Sequence, residues 1–139
     1  MSNEPQSRRG FLAALAGALA ATVVPDGVAG LSRWPGTGHH PEPRPGIDGS
    51  RVLPANRLGA QLGELFDGVR RIPHVVDGIR CHCGCAEVPG MYSLLSCYED
   101  AGMAQYCNVC QGEGRLVLRL HDEGRTLDEI RTAVDRRFG

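Results

Sequence analysis

Lysine is missing from this chain: all fifteen of its basic residues are arginine. We read that as the codon bias of a GC-rich genome, without functional content. Sixteen acidic residues nearly cancel the fifteen basic ones, for a formal net charge of −1. Nothing in that balance points to a polyanion partner such as nucleic acid, whose binding leans on clustered positive charge. Aromatic residues are scarce, at 5%, which excludes a large aromatic-rich core. No apolar run reaches the ~20 residues of a membrane-spanning helix. There is no hydrolytic triad, no phosphate loop, no paired-carboxylate arrangement and no internal repeat, and no stretch alternates convincingly as a strand. A length of 139 residues allows one domain, and a domain this small often needs disulfides or metal to hold it.

The N-terminal pattern is the first positive signal. Ser7-Arg8-Arg9-Gly10-Phe11-Leu12 opens an Ala- and Gly-rich apolar run from Phe11 to Val24. Paired arginines before a mildly hydrophobic segment are the address read by the Tat translocase, here through Arg8 and Arg9. Gly27-Val28-Ala29 supplies small residues for signal cleavage, and no Cys follows the run to make a lipobox. An uncleaved anchor is the alternative. Removing residues 1–29 takes away Arg8, Arg9, Glu4 and Asp26, so the remainder keeps its charge of −1. Tat carries folded chains, and a thiol site assembled in the reducing cytoplasm is one reason to use it.

Residues 30–56 are dominated by Pro, Gly and polar side chains, with Trp34 the one bulky aromatic, and read as a flexible linker. His39 and His40 within it read as incidental. Residues 57–139 read as a cysteine-rich, all-α domain of three to five short helices. Leu58, Leu62, Leu65, Phe66 and Val69 share one helical face, and Ile72-Pro73 ends that helix and starts a short one through Ile79. A further short helix is expected from Ser93 to Tyr98, burying Leu94 and Leu95. A longer one is expected from Ala104 or Cys107 to His121, with Leu116, Val117 and Leu120 inward and Gly124 as its stop. Thr126-Leu127-Asp128-Glu129 reads as a capping box opening a last helix lined by Leu127, Ile130, Val134 and Phe138.

Six cysteines fall within this domain: Cys81, Cys83 and Cys85, then Cys97, then Cys107 and Cys110. An even number in an exported chain allows a disulfide framework. Cysteines one residue apart rarely bridge each other, because disulfide geometry is narrow. In a turn they can instead direct several thiolates at one ion, with Gly84 supplying backbone freedom. Cys107 and Cys110 would share a face at a helix start, where the dipole favours thiolate. A C-x-x-C beside a C-x-C-x-C is a strong metal signal. Thiolates select Cu(I), Zn(II) or an iron–sulfur cluster, and we rank them in that order. His82 inside the cluster is a candidate ligand beside Cys81, Cys83, Cys85, Cys97, Cys107 and Cys110. Met91 and Met103 flank the cysteines and read as core packing, and His74 and His121 as structural or capping groups.

The stretch Ile72 to Gly139, about half the chain, resembles the bacterial family of exported proteins named for its PCYCGC motif. The residues that carry the likeness are Ile72-Pro73, Val76-Asp77-Gly78, Cys81-His82-Cys83-Gly84-Cys85, Ser93 to Glu99, Cys107, Cys110, Gly124 to Arg131 and Asp135. Arg80 replaces the leading Pro of the motif, His82 replaces its aromatic, and a Tat signal replaces the lipoprotein signal common in that family. The resemblance implies that all six cysteines act together and brings no assigned reaction. The tail, with Gly124-Arg125-Thr126 and Arg137-Phe138-Gly139, together with Arg80-Cys81, is faintly similar to cytochrome c assembly proteins of the CcmH type.

Taken together, the sequence points first to a non-catalytic metal-binding protein of the cell envelope. It would bind Cu(I) or Zn(II), with a metal-receiving envelope protein as partner and no nucleic acid. The alternatives are a thiol–disulfide oxidoreductase or assembly factor using Cys107 and Cys110, and a structural module held by three disulfides.

Overall fold

The computed structural model describes residues 38–139. The signal sequence and Trp34 lie outside the described residues. Those residues form an all-α unit of four helices, with no strand among them. Helix α1 spans Ala60–Arg71, α2 Pro73–Asp77, α3 Asn108–Asp122 and α4 Leu127–Phe138. A single 3-10 turn at Ala55–Arg57 precedes α1, and three more, at Cys85–Glu87, Leu95–Cys97 and Met103–Gln105, lie between α2 and α3.

Local chemistry sets these boundaries. Leu65, Phe66 and Val69 on one face of α1 are buried, while Leu58 precedes the helix and packs half-buried against the core. Ile72 terminates α1 and Pro73 occupies the first turn of α2, where its missing N–H leaves no helical bond unmade. Helix α3 ends before Gly124, which adopts the left-handed conformation at φ 78° and lets Arg125 N–H reach the Leu120 carbonyl at 3.0 Å. Thr126 and Glu129 form the expected capping box at the start of α4. The expected helix from Ser93 to Tyr98 is instead the single 3-10 turn Leu95–Cys97, with Leu94 and Leu95 fully buried. The long helix begins at Asn108, at the later of the two expected places.

The core is aliphatic, as the shortage of aromatics requires. Val69, Val76, Ile79, Leu94, Leu95, Val117 and Val134 are all fully buried around a single aromatic pair. In that pair Phe66 and Tyr98 meet edge to face with centroids 4.7 Å apart.

The linker reading changes at residue 38. Residues 38–56 are packed against the helices, and Val52 and Leu53 are buried in their core. Arg44 forms a bidentate pair with Asp77, at 2.7 Å for its shortest bond. The Arg44 backbone N–H donates to the same carboxylate at 2.8 Å. Arg131 of α4 donates to the Pro41 carbonyl at 2.8 Å. Val52 bridges Glu99, and Leu53 N–H donates to the Tyr98 carbonyl at 3.0 Å. The composition was that of a tether. What fixes the segment is long-range pairing, which leaves no periodic trace in a sequence.

Candidate metal centre

Three separated segments bring sulfur to one place. The first is the loop after α2, whose course is tied down when Leu94 N–H donates to the Ile79 carbonyl at 2.7 Å. Gly84 then turns at φ 89°, a conformation that costs glycine nothing and other residues a steric penalty. That turn folds Cys85 back so that its sulfur lies 2.8 Å from Cys83 Sγ. Cys81 Sγ is 3.3 Å from Cys83 Sγ. The second segment is the 3-10 turn carrying Cys97, whose sulfur lies 3.2 Å from that of Cys85. The third is the start of α3. Cys107 is its N-cap, accepting the Cys110 N–H at 3.4 Å, and Cys110 Sγ stands 3.6 Å from the sulfurs of both Cys81 and Cys83.

Cys81, Cys83, Cys85 and Cys110 have their sulfurs all within 4.8 Å of one another, and this set can hold a metal ion. Two thiolates on a tetrahedral ion at a metal–sulfur distance of 2.3 Å lie about 3.8 Å apart, close to the longer spacings here. All six cysteines are unpaired thiols. Cys97 stands outside the mutual set of four but touches it through Cys81, Cys85 and Cys110, and Cys107 adjoins it through Cys110. Cys81, Cys85, Cys97 and Cys110 are buried, while Cys83 and Cys107 are half-exposed and form the open side.

Cys81, Cys97 and Cys110 resist ionisation. The hydrogen bond to the Cys110 thiol pushes Cys81 up, and burial adds to it. At Cys97 the contact with Cys110 favours the thiolate, but the contact with Cys81 and burial outweigh it. Cys110 behaves alike, with the Cys81 contact lowering it and Cys97 and burial prevailing. These three thiols therefore hold their protons, and an incoming soft cation must displace them.

His82 does not join the sulfurs. Its side chain is almost inaccessible, and both ring nitrogens are taken by carboxylates. Nδ1 lies 2.6 Å from Glu113 Oε1 and Nε2 lies 3.1 Å from Asp135 Oδ1. The Glu113 hydrogen bond holds its pKa above the ordinary histidine range. Both ring nitrogens face carboxylates instead of the sulfurs, so the candidate ligand becomes a clamp. Glu113 also accepts the His82 backbone N–H at 2.8 Å, tying the cysteine loop to α3. Nothing singled out Glu113 in the sequence. Its one signal is position, at i+3 from Cys110 and flanked by Gly112 and Gly114. His40 is likewise engaged, with Nδ1 accepting the Arg80 N–H at 2.9 Å and Nε2 donating to Asp135 at 3.0 Å.

Met91 packs half-buried against the core as expected, whereas Met103, also read as core packing, is exposed. Tyr98, fully buried, donates its hydroxyl to the Cys110 carbonyl at 2.6 Å and so fixes the first turn of α3. It has room only because residue 114 is glycine: a Cβ there would stand 2.1 Å from the Tyr98 oxygen. No family model, no curated protein and no solved structure matches this chain, so the site is read from its own geometry.

Proposed function

We propose that this is an exported, non-catalytic metal-binding protein of the cell envelope, similar to the PCYCGC-motif family. In this reading it carries Cu(I) first and Zn(II) second on its cysteine cluster, for sequestration or for delivery to a receiving envelope protein. The observation that carries the proposal is the mutual approach of four sulfurs within 4.8 Å, none of them in a disulfide. Copper is preferred because thiolates are soft ligands and Cu(I) accepts low coordination numbers. Six sulfurs also exceed what one tetrahedral ion uses, and the continuous chain of contacts through Cys85 to Cys97 favours more than one bound ion. Export rests on the Tat-type pattern at Arg8 and Arg9.

Thiol–disulfide exchange is the second reading, favoured by one feature: Cys107 and Cys110 form a C-x-x-C pair at the start of α3, with Cys107 its N-cap. Native mass spectrometry with elemental analysis, on protein purified without reductant, separates the cases. Bound copper or zinc supports the proposal. Loss of two hydrogens from Cys107 and Cys110 alone supports exchange, and loss of six with no metal identifies a disulfide scaffold.

A further inference from the structure

Away from the sulfur cluster, α3 and α4 leave between them an open groove of about 750 Å³. Its rims carry four arginines, Arg115 and Arg119 on α3 with Arg136 and Arg137 on α4. They stand in separate stretches of the sequence and come together only through the helical hairpin. All four are exposed. The described residues include six arginines in ion pairs, at positions 44, 51, 70, 80, 125 and 131. The four groove arginines are in none of the recorded ion pairs, although the chain as a whole is slightly acidic.

The floor between the rims is hydrocarbon. Leu116, Leu120 and Phe138 line it and remain half-buried, with an alanine and a glycine completing the surface. No acidic side chain and no neutral hydrogen-bonding side chain faces this groove. It therefore offers two chemistries only, positive charge at the rims and apolar surface below. A protein segment would bring main-chain and side-chain polar groups for which the groove has no acceptor. An anionic amphiphile asks for the two chemistries present, with phosphate against guanidinium and chain against leucine and phenylalanine.

We propose that the α3–α4 groove seats anionic phospholipid at a bilayer surface, holding the folded domain against the membrane. The proposal is independent of what the cysteines bind. A surface arginine near an anionic leaflet contributes about 1 kcal/mol, roughly fivefold in partitioning, so removing two costs about 25-fold.

The test is co-sedimentation of the full chain with vesicles of equal parts phosphatidylglycerol and phosphatidylcholine, against phosphatidylcholine alone. Any contribution of the N-terminal apolar run is common to all variants. Expected is a preference for the anionic vesicles that falls about 25-fold in R136Q/R137Q and by a similar factor in R115Q/R119Q. R57Q/R71Q, which removes two exposed arginines outside the groove, should keep the preference. Circular dichroism verifies that each variant is folded. Equal loss in R57Q/R71Q, or no loss in the groove variants, overturns the proposal. So does capture of an acidic amphipathic peptide by a chain that ignores both vesicles, which would assign the groove to a protein partner.

Discussion

Asp77 has no exposed surface, yet its carboxylate stays ionised because four donors reach it: Arg44 through its backbone N–H, Nε and Nη2, and the Ser93 hydroxyl at 2.6 Å. Burial raises its pKa, but the bonds from Arg44 and Ser93 outweigh burial and hold it below the usual aspartate range. A folded value below the unfolded ~3.9 gives stability that is complete above about pH 4 and lost as the pH falls through the folded value. Asp77→Asn, which leaves the Arg44 guanidinium without its counter-charge, should cost about 3 kcal/mol and remove that acid-side decline. Urea titrations between neutral and acid pH read both effects. At the cluster the two neighbours His82 and Cys83 should part company. Cys83→Ser should lower the bound metal per chain, whereas His82→Asn should keep the ratio and lose stability through the abandoned Glu113. Elemental analysis beside thermal melts distinguishes a ligand from a clamp.

Among the elements, those with local signals were legible in the sequence. Periodic apolar residues placed α1, the Ile72-Pro73 step placed α2, and the capping box and Gly124 framed α4. The short segment at Leu95–Cys97 carried the same apolar pair a helix would, and the sequence held nothing to limit it to one turn. The segment 38–56 was the larger miss. Pro and Gly dominate it, and its order comes from pairing with residues many positions away, including Asp77, Tyr98 and Arg131. Hydrogen exchange provides a direct measure of that order. The Leu53 amide, bonded to the Tyr98 carbonyl at 3.0 Å, should exchange as slowly as core amides of α3. A free tether would exchange there without protection.

For the whole molecule, the cysteine set was visible in sequence but its division was not. Spacing alone gave six equivalent candidates, whereas the fold sorts them into four within mutual reach and two at the margin. A ligand that binds only the folded state adds about 2.7 kcal/mol at a hundredfold excess over its Kd. In a domain of this size that corresponds to roughly 10–20 °C in Tm. Adding Cu(I) to the reduced chain should raise Tm by this order, and replacing all six cysteines with serine should abolish the rise. Differential scanning fluorimetry reads the difference directly.

The bond from the Tyr98 hydroxyl to the Cys110 carbonyl anchors the sulfur-bearing turn to a core that also holds Phe66, Val69, Val76 and Val117. Small zinc modules collapse when emptied because the ion is their interior. Here the vessel has walls of its own, so a chelator should strip the ions and leave the helical spectrum unchanged. Under the proposed function, filling and discharge would be ligand exchange at the Cys83 side, without a cycle of unfolding and rebuilding.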